Sequence, residues 1–411
     1  MKNGARVAFS ALLFCGWASA GGAQTVTEFP AKTSASTPRG LTGGPGQTVW
    51  YGTHSTMRID RVDLTQLSDC LTVPSCITEY QIPNTASGTD PYNLVMAPDG
   101  TIWFTEGFGG KVGRLDPAKL TGCASTPTVC ITEYKPPTPN QVPFAITVGP
   151  DHNIWFTESV GIARIDLTKL TGCETIATQC MTEFPIIAGS LATGSDGNLW
   201  GTFSPPPSKI ERIDMSKLTG CQADTTKCLT TFLIPTASSS PDNAVAGSDG
   251  NIWFTETGPK IARVDLGALA GCASGSCITE FSLSAPISGF LVNLTAGPDG
   301  ALWFLDGANH IGKLATSGQV TASISIPTAG AGAARIRTGP DGNLWITEGI
   351  ANKIGRVNLT GGGGNPTPTP TPTPPSGTPT RTPTGTSGGA PRGHVTPLNY
   401  PTPRGAVAGR Q

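Results

Sequence analysis

The sequence predicts an all-β fold, a seven-bladed β-propeller whose blades are four-stranded antiparallel sheets. Three observations support this prediction: a phrase of the type Gly-Pro-Asp-Gly-Asn-Leu-Trp-Phe-Thr-Glu returns seven times, its copies lie 42 to 53 residues apart, and short β-type runs separated by turn residues fill each interval. A repeat of this length with four strands per unit is typical of a propeller. The tryptophans that mark the copies are Trp50, Trp103, Trp155, Trp200, Trp253, Trp303 and Trp345.

One unit, residues 142–186, shows the four strands in order. Residues 145–148 predict a short inner strand, 154–158 a second strand with large residues on both faces, 162–167 an alternating third strand, and 180–184 the start of a fourth. An Asp-Gly turn joins the first two strands in five copies, because this pair tolerates the positive φ of a tight hairpin. No Asp-x-Asp-x-Asp-Gly loop occurs, so we interpret these aspartates as turn residues and predict no metal site.

The N-terminus is predicted to close the ring. Thr27-Glu28-Phe29 matches fourth-strand phrases such as Thr132-Glu133-Tyr134, yet it precedes every blade, and the last repeat ends at Asn358 after its third strand. We therefore expect the N-terminal strand to complete the last blade, which removes the open sheet edge.

Of the eleven cysteines, Cys15 lies in the N-terminal segment that is expected to be removed, and the other ten form five local pairs, each at the same place in its repeat. An even count and local spacing favour disulfides, whereas zinc sites call for two-residue spacing and nearby histidines that are missing here. We predict five disulfides in the connection between third and fourth strands, where they brace the outer edge of the blade. The predicted pairs are Cys70 with Cys76, Cys123 with Cys130, Cys173 with Cys180, Cys221 with Cys228, and Cys272 with Cys277.

The two ends of the chain differ from the repeats. Residues 1–23 have the basic start, short apolar run and small-residue site of a secretory signal peptide, so we expect a bacterial secreted or cell-surface protein. The propeller is assigned to residues 24–360, and the Pro/Thr/Gly-rich residues 361–411 are expected to form a disordered tail.

The composition limits the partners. Only 13% of residues are charged and the net charge is -1, which argues against nucleic acid and anionic membranes. No segment of the mature chain is long and apolar enough to predict a membrane span, and a monomer is expected.

The repeat phrase, followed by Lys-Ile-Gly-Arg-Val and a Glu-Phe-type strand, resembles the virginiamycin B lyase (streptogramin lyase) family over residues 25–360. The resemblance is strongest at residues 97–115, 149–165 and 339–357. It implies a seven-bladed propeller that opens a cyclic depsipeptide by β-elimination at an ester, using a histidine base and magnesium held by glutamates.

The residues that would perform this chemistry differ here. The resemblance places Pro-His phrases ten or eleven residues before the tryptophan in two late blades, and a magnesium-binding glutamate where this chain has Gly349. No histidine stands at those positions, so no catalytic residue is assigned, and magnesium is expected only if a lyase activity exists. The histidines present are His54, His152, His310 and His394, which we interpret as surface or turn residues.

Acids and bases that recur in most blades, such as Glu106 and Arg114, are interpreted as scaffold, because a site must break the symmetry of the ring. The residues that differ lie near the starts of the inner strands, at the mouth of the central channel, and we predict that they bind a ligand. A wet channel wall without a ligand is the alternative interpretation. The predicted set is Arg39, Tyr92, Phe144, Asp242, Asn243, Asn293 and Arg335.

These observations predict a secreted propeller that binds a small molecule, a peptide or a cell-wall fragment without a cofactor. The alternative function is a magnesium-dependent C–O lyase acting on a streptogramin B type depsipeptide.

Overall fold

The computed structural model describes residues 24–83 and 89–359, which form seven four-stranded antiparallel sheets arranged as a propeller. The predicted fold class is therefore confirmed. The signal peptide expected at residues 1–23 and the tail expected at 361–411 lie outside the described residues. Among the described residues, no helix has the length and apolar character needed to cross a membrane.

Each blade runs outward in chain order from the channel. Blade 1 comprises β2 (Pro38–Gly44), β3 (Thr48–Thr53), β4 (Arg58–Asp63) and β5 (Ile77–Gln81); blade 2, β6 (Pro91–Met96), β7 (Ile102–Glu106), β8 (Lys111–Leu115) and β9 (Ile131–Tyr134); blade 3, β10 (Ile146–Val148), β11 (Ile154–Glu158), β12 (Gly161–Ile165) and β13 (Met181–Phe184); blade 4, β14 (Leu191–Thr193), β15 (Leu199–Phe203), β16 (Lys209–Ile213) and β17 (Leu229–Leu233). Blade 5 comprises β18 (Ala244–Ala246), β19 (Ile252–Glu256), β20 (Lys260–Val264) and β21 (Ile278–Ser282); blade 6, β22 (Leu291–Ala296), β23 (Leu302–Asp306), β24 (His310–Leu314) and β25 (Val320–Ser325); blade 7, β26 (Ala333–Thr338), β27 (Leu344–Glu348), β28 (Lys353–Asn358) and the N-terminal β1 (Thr25–Pro30).

The closure of the ring by the N-terminus is confirmed. β1 is the outer strand of the sheet β1-β28-β27-β26, with Thr25 opposite Asn358 and Pro30 opposite Lys353. The first strand of the chain therefore completes the last blade.

Short 3₁₀ helices follow the third strands, and the sequence analysis did not predict them. In blade 3 the third strand ends at Ile165, earlier than expected, because the Asp166 carboxylate accepts a hydrogen bond from the Thr168 backbone N–H (3.1 Å) and starts a helical turn. The 3₁₀ helices of the described residues are Leu64–Cys70, Pro117–Lys119, Pro127–Val129, Leu167–Lys169, Ala177–Gln179, Met215–Lys217, Thr225–Lys227, Leu266–Ala268 and Cys272–Ser274.

The recurring tryptophan is a core residue in every blade. Trp155 is fully buried, stacks on Phe184 of the fourth strand with ring centroids 5.4 Å apart, and donates its indole N–H to the Asp151 carboxylate (3.0 Å). The second oxygen of Asp151 accepts from Arg164 of the third strand (2.5 Å). This Asp–Trp–Arg arrangement ties the first turn to the middle of the blade, and blades 4 and 7 repeat it.

The turn between the first and second strands of a blade requires a residue in the left-handed backbone conformation, with positive φ. His152 has φ +60° at the place where other repeats have glycine, such as Gly100 with φ +80°. The structure therefore places His152 in a turn, as predicted.

All five predicted disulfides are confirmed, with Cα–Cα distances of 5.3 to 5.6 Å. They occur in blades 1 to 5, where a long connection joins the third and fourth strands. From blade 1 to blade 5 the bonds join Cys70 to Cys76, Cys123 to Cys130, Cys173 to Cys180, Cys221 to Cys228, and Cys272 to Cys277.

Blade 6 has no such bond among its described residues because its connection is shorter. A tight turn joins Leu314 to Val320, and it is closed by a hydrogen bond from the Ala315 N–H to the Gln319 carbonyl (2.9 Å). The disulfides thus brace the blades that have the longer connection.

Candidate functional site

The inner strands of four blades carry a β-bulge near the mouth of the channel. In blade 1 the pairing passes from Pro38 opposite Thr53 directly to Leu41 opposite Tyr51, so Arg39 and Gly40 share one partner position. Equivalent shifts occur in blades 2, 6 and 7. Because a bulge bends the strand and changes the direction of its side chains, these blades present different residues at the mouth.

Tyr92 is the centre of the contacts in this region. The guanidinium carbon of Arg39 lies 5.1 Å from the centroid of its ring, that of Arg335 lies 5.4 Å away, and the ring of Phe144 lies 4.3 Å away. The structure therefore brings together four of the seven residues predicted from the sequence. We call Arg39, Tyr92, Phe144 and Arg335 the mouth cluster.

Arg335 spans the mouth from blade 7 to blade 2. Its Nε donates to the Asn93 side-chain oxygen (2.8 Å), and its Nη1 donates to the Ala334 carbonyl (2.9 Å). Blade 1 lies between these blades and carries Gly40 at the crossing, where a Cβ atom would approach the Tyr92 carbonyl to 2.8 Å. A side chain at position 40 would force the first two blades apart.

Asn243 and Asn293, also predicted as ligand residues, connect neighbouring blades. The side-chain oxygen of Asn243 accepts from the Leu294 N–H (2.9 Å), and that of Asn293 accepts from the Ile336 N–H (3.0 Å). Asn293 also accepts from Nη1 of Arg337 (2.7 Å). Burial, with the nearby charge of Arg335, lowers the pKa of Arg337 to about 10.

Asp242 is the acidic residue of the predicted set. Its side chain is accessible to solvent, desolvation raises the pKa of its carboxyl, and the charge of Arg335 opposes that rise. Asp242 thus belongs to the electrostatic environment of the mouth cluster.

The arginines of the mouth differ from those of the blades in their partners. Six of the seven third-strand cations form an ion pair with a carboxylate, as Arg164 does with Asp151. Within the described residues, Arg39, Arg335 and Arg337 form none. The mouth therefore contains three guanidinium groups that no carboxylate neutralises directly.

Two histidines have a buried aspartate beside them, which the sequence analysis did not find. Nδ1 of His54 lies 2.6 Å from Oδ2 of Asp90, which directly precedes the strand that carries Tyr92. Nδ1 of His310 lies 3.0 Å from Oδ2 of Asp306 in blade 6. No repeat position signals Asp90, since the contact joins blade 1 to blade 2.

The glutamates that end most second strands are buried inside the blades. Burial and a neighbouring fourth-strand glutamate raise the pKa of Glu106, Glu158, Glu256 and Glu348 to about 8. In three of these blades a lysine at the start of the third strand opposes the rise, but blade 3 has Gly161 there. Glu158 lies beside Glu183, and its Oε1 has no hydrogen-bond partner among the described residues.

The donor set does not fit the magnesium site that the family resemblance implies. Across residues 24–83 and 89–359, no group of three or more His, Cys, Asp or Glu side chains is placed to hold a metal ion. Glu348, beside the expected ligand position at Gly349, is fully buried next to Glu28 and Lys353. We therefore assign no residue to magnesium.

Comparison with solved structures places the propeller beside known lyases. It is similar to selenomethionine-substituted virginiamycin B lyase from Staphylococcus aureus, with 27% identity, a TM-score of 0.65, and coverage of 82% of this chain and 99% of that chain. A catalytically inactive variant of the same S. aureus enzyme, crystallised with quinupristin, matches at 28% identity and a TM-score of 0.65 over the same shares. A streptogramin B lyase matches at 26% identity and a TM-score of 0.63, covering 82% of this chain and 97% of that chain.

A search of curated protein sequences gave no match. A sequence model of the Virginiamycin B lyase family matches residues 122–267 and 221–374, which together span more than half of the chain. The chain belongs to the virginiamycin B lyase family.

Proposed function

We propose that this protein is an exported binding module that holds a small molecule, a peptide or a cell-wall fragment at the mouth of its propeller. The observation that carries the proposal is the mouth cluster, in which two arginines without a carboxylate partner and one aromatic ring surround Tyr92. Charged and aromatic groups that converge at a concave opening are typical of ligand sites.

Export is part of the proposal. Five disulfides support it, because such bonds persist in oxidising compartments and are rare in the cytosol. The binding module acts as a monomer and needs no cofactor.

Binding to a panel of cyclic peptides, glycans and cell-wall fragments tests the function. Tyr92→Ala removes the ring that the other three members of the cluster contact, so a ligand of the mouth loses affinity by about tenfold or more. Lys119→Ala is the control, because Lys119 is an exposed residue in the connection after β8. A panel without any binder, or a binder unaffected by Tyr92→Ala, would refute the proposal.

The second candidate function is lyase chemistry with a relocated base, and it is favoured by the contact between His54 and Asp90 near the mouth. Because Nδ1 of His54 faces Asp90, its Nε2 remains to accept a proton. In an elimination, Nε2 would take a proton from the carbon adjacent to the one that bears the ester oxygen. The electron pair of that C–H bond would form a C=C bond between these two carbons, the C–O bond would break, and the acyl part of the ester would leave as a carboxylate. A positioned base contributes about 10² to 10⁴-fold in rate.

Incubation with a type B streptogramin, with and without Mg²⁺, tests this activity by mass spectrometry of the linear product. His54→Ala should abolish the product, while His310→Ala, which changes the other aspartate-paired histidine in blade 6, should retain it. An intact cyclic substrate with the unaltered protein would exclude the lyase function and leave the binding function standing.

A further inference from the structure

We infer that the ligand of the mouth cluster carries a carboxylate or a similar oxyanion on an aromatic or apolar body, an inference that rests on the proposed binding function. The guanidinium groups of Arg39 and Arg335 would hold the anion, and Tyr92 with Phe144 would contact the body.

The positive charges of Arg39 and Arg335 are not neutralised by ion pairs within the described residues. Arg39 and Arg335 lie on one tyrosine ring without a carboxylate partner. All Asp and Glu residues of the chain are within residues 24–83 and 89–359, since the remaining segments contain neither residue type. The chain therefore has no further acidic side chain with which to neutralise this pair.

The guanidinium groups of Arg39 and Arg335 have hydrogen-bond donors without a partner in the described structure. Nε and Nη1 of Arg335 are occupied by Asn93 and Ala334, which fixes the plane of the guanidinium and leaves Nη2. The Arg39 guanidinium donates no hydrogen bond within the described part of the chain, and it lies over the Tyr92 ring. Arginine presents its donors as a planar fork that matches carboxylate and phosphate oxygens.

Asp242 is the acidic residue that competes with an anionic ligand for the charge of Arg335. Asp242 acts on Arg335 through its charge, but within the described residues it forms no ion pair with either arginine of the cluster. Its side chain is exposed, and a negative charge that acts on Arg335 repels an anion that approaches the same arginine. Removal of its charge therefore strengthens the binding of an anion and weakens the binding of a cation.

Exposed apolar side chains near the mouth cluster favour a ligand with an apolar body. Large apolar side chains are exposed on the turns between second and third strands and just before β22, at the end of the blades where the inner strands begin. Exposed apolar groups on the same face as a charged cluster favour a ligand with both characters. These side chains are Phe108 (78% exposed), Val160 (52%), Phe290 (64%) and Ile350 (81%).

The test compares N-acetyl-phenylalanine with N-acetyl-phenylalaninamide, two probes with the same body that differ in the negative charge. Titration of the full propeller followed by calorimetry or NMR should show that the acid binds about tenfold or more tightly than the amide, as expected for charge-assisted hydrogen bonds. Arg39→Ala should weaken the acid about tenfold, Asp242→Asn should tighten it a few-fold, and Lys119→Ala should change nothing. Circular dichroism of each variant verifies the fold.

The outcomes separate the inference from the proposed function. Equal binding of acid and amide would show that the ligand needs no anionic group, while the proposed binding site at the mouth would stand. If Asp242→Asn also tightened the binding of the amide, the effect of the substitution would not depend on the charge of the ligand, and the anion would again be overturned. Failure of the acid to bind would overturn the inference, and the wider panel would then decide the proposed function alone. Inorganic phosphate is the third probe: if it binds as tightly as the acid, the anion is supported and the apolar body is refuted.

Discussion

The middle of each blade and the mouth of the channel follow opposite rules. In the middle of blade 3, the Asp151 carboxylate joins Trp155 and Arg164, and blades 4 and 7 repeat this arrangement with their own residues. At the mouth, Tyr92 and Asp242 occupy equivalent repeat positions and share neither charge nor shape. Residues that are repeated from blade to blade therefore stabilise the blade, and residues that differ between blades are available for a ligand.

The two regions also handle charge differently. Six of the seven third-strand cations have an acidic partner within the same blade, whereas the arginines of the mouth have none among the described residues. This contrast has measurable consequences. Substitutions in the blades should change stability, and substitutions in the mouth should change binding.

The largest expected effect comes from the blade core. Trp253→Ala should lower the free energy of unfolding by about 3 to 5 kcal/mol, because it removes a fully buried indole and leaves a cavity beside Phe281. Denaturant unfolding measures this value. Phe108→Ala, at an exposed site, is the matched control, and equal losses in both variants would contradict the assignment of tryptophan to the core.

Removal of one disulfide should have the next largest effect. The double variant Cys173→Ser with Cys180→Ser opens a loop with a sequence separation of 7, which on the chain-entropy account costs about 2 to 2.5 kcal/mol. Thermal unfolding under non-reducing conditions measures the loss. Ligand binding at the mouth should stay unchanged, and a loss of binding in the folded variant would show that the two regions are coupled.

The third effect depends on pH and comes from Glu158. Its folded-state pKa of about 8 exceeds the ordinary value of 4.5, so its contribution to stability is present below pH 4.5 and is lost as the pH rises towards 8. Glu158→Gln should therefore stabilise the protein at pH 8 by about 1 to 2 kcal/mol and flatten this pH dependence.

Glu106→Gln is the control for the pH effect. Although Lys111 lies beside the glutamate pair of blade 2, burial raises the pKa of Glu106 to the same value of about 8, so its gain at pH 8 should be similar to that of Glu158→Gln. Unfolding curves at pH 5 and pH 8 give both values. A gain at pH 8 from only one of the two variants would contradict burial as the shared cause of the raised pKa values.

The smallest expected effect on stability comes from the mouth. Arg39→Ala should change the free energy of unfolding by less than about 0.5 kcal/mol, because the side chain is partly exposed and forms no ion pair in the described structure. The same denaturant experiment measures it. A loss comparable to that of Trp253→Ala would mean that the mouth cluster is part of the scaffold.

Local patterns made most of the fold predictable. The second strand of blade 3 lies at Ile154–Glu158, as the run of large residues predicted, and the cysteine pairs follow from their spacing. The third strand ends earlier than predicted because Asp166 starts a 3₁₀ helix, a local competition that alternation alone does not reveal.

The mouth was predictable in position but not in its contacts. Counting back from each tryptophan finds Arg39 and Tyr92, since the repeat keeps the inner strand at a fixed distance. The partner of Arg335 is Asn93, 242 residues away, and a bulge in each strand alters the directions of the side chains. Such a pair depends on ring closure, which brings blades 7 and 2 to either side of blade 1.

The way in which the ring closes also sets an order of events during synthesis. Among the described strands, β1 comes first in the sequence and its partner β28 comes last, so the hydrogen bonds between them can form only after the residues of the intervening blades have been synthesised. The long separation between these strands makes their pairing a late and entropically costly step. Until β28 has been synthesised, blade 7 lacks its outer strand, although the residues of β1 that will complete it already exist.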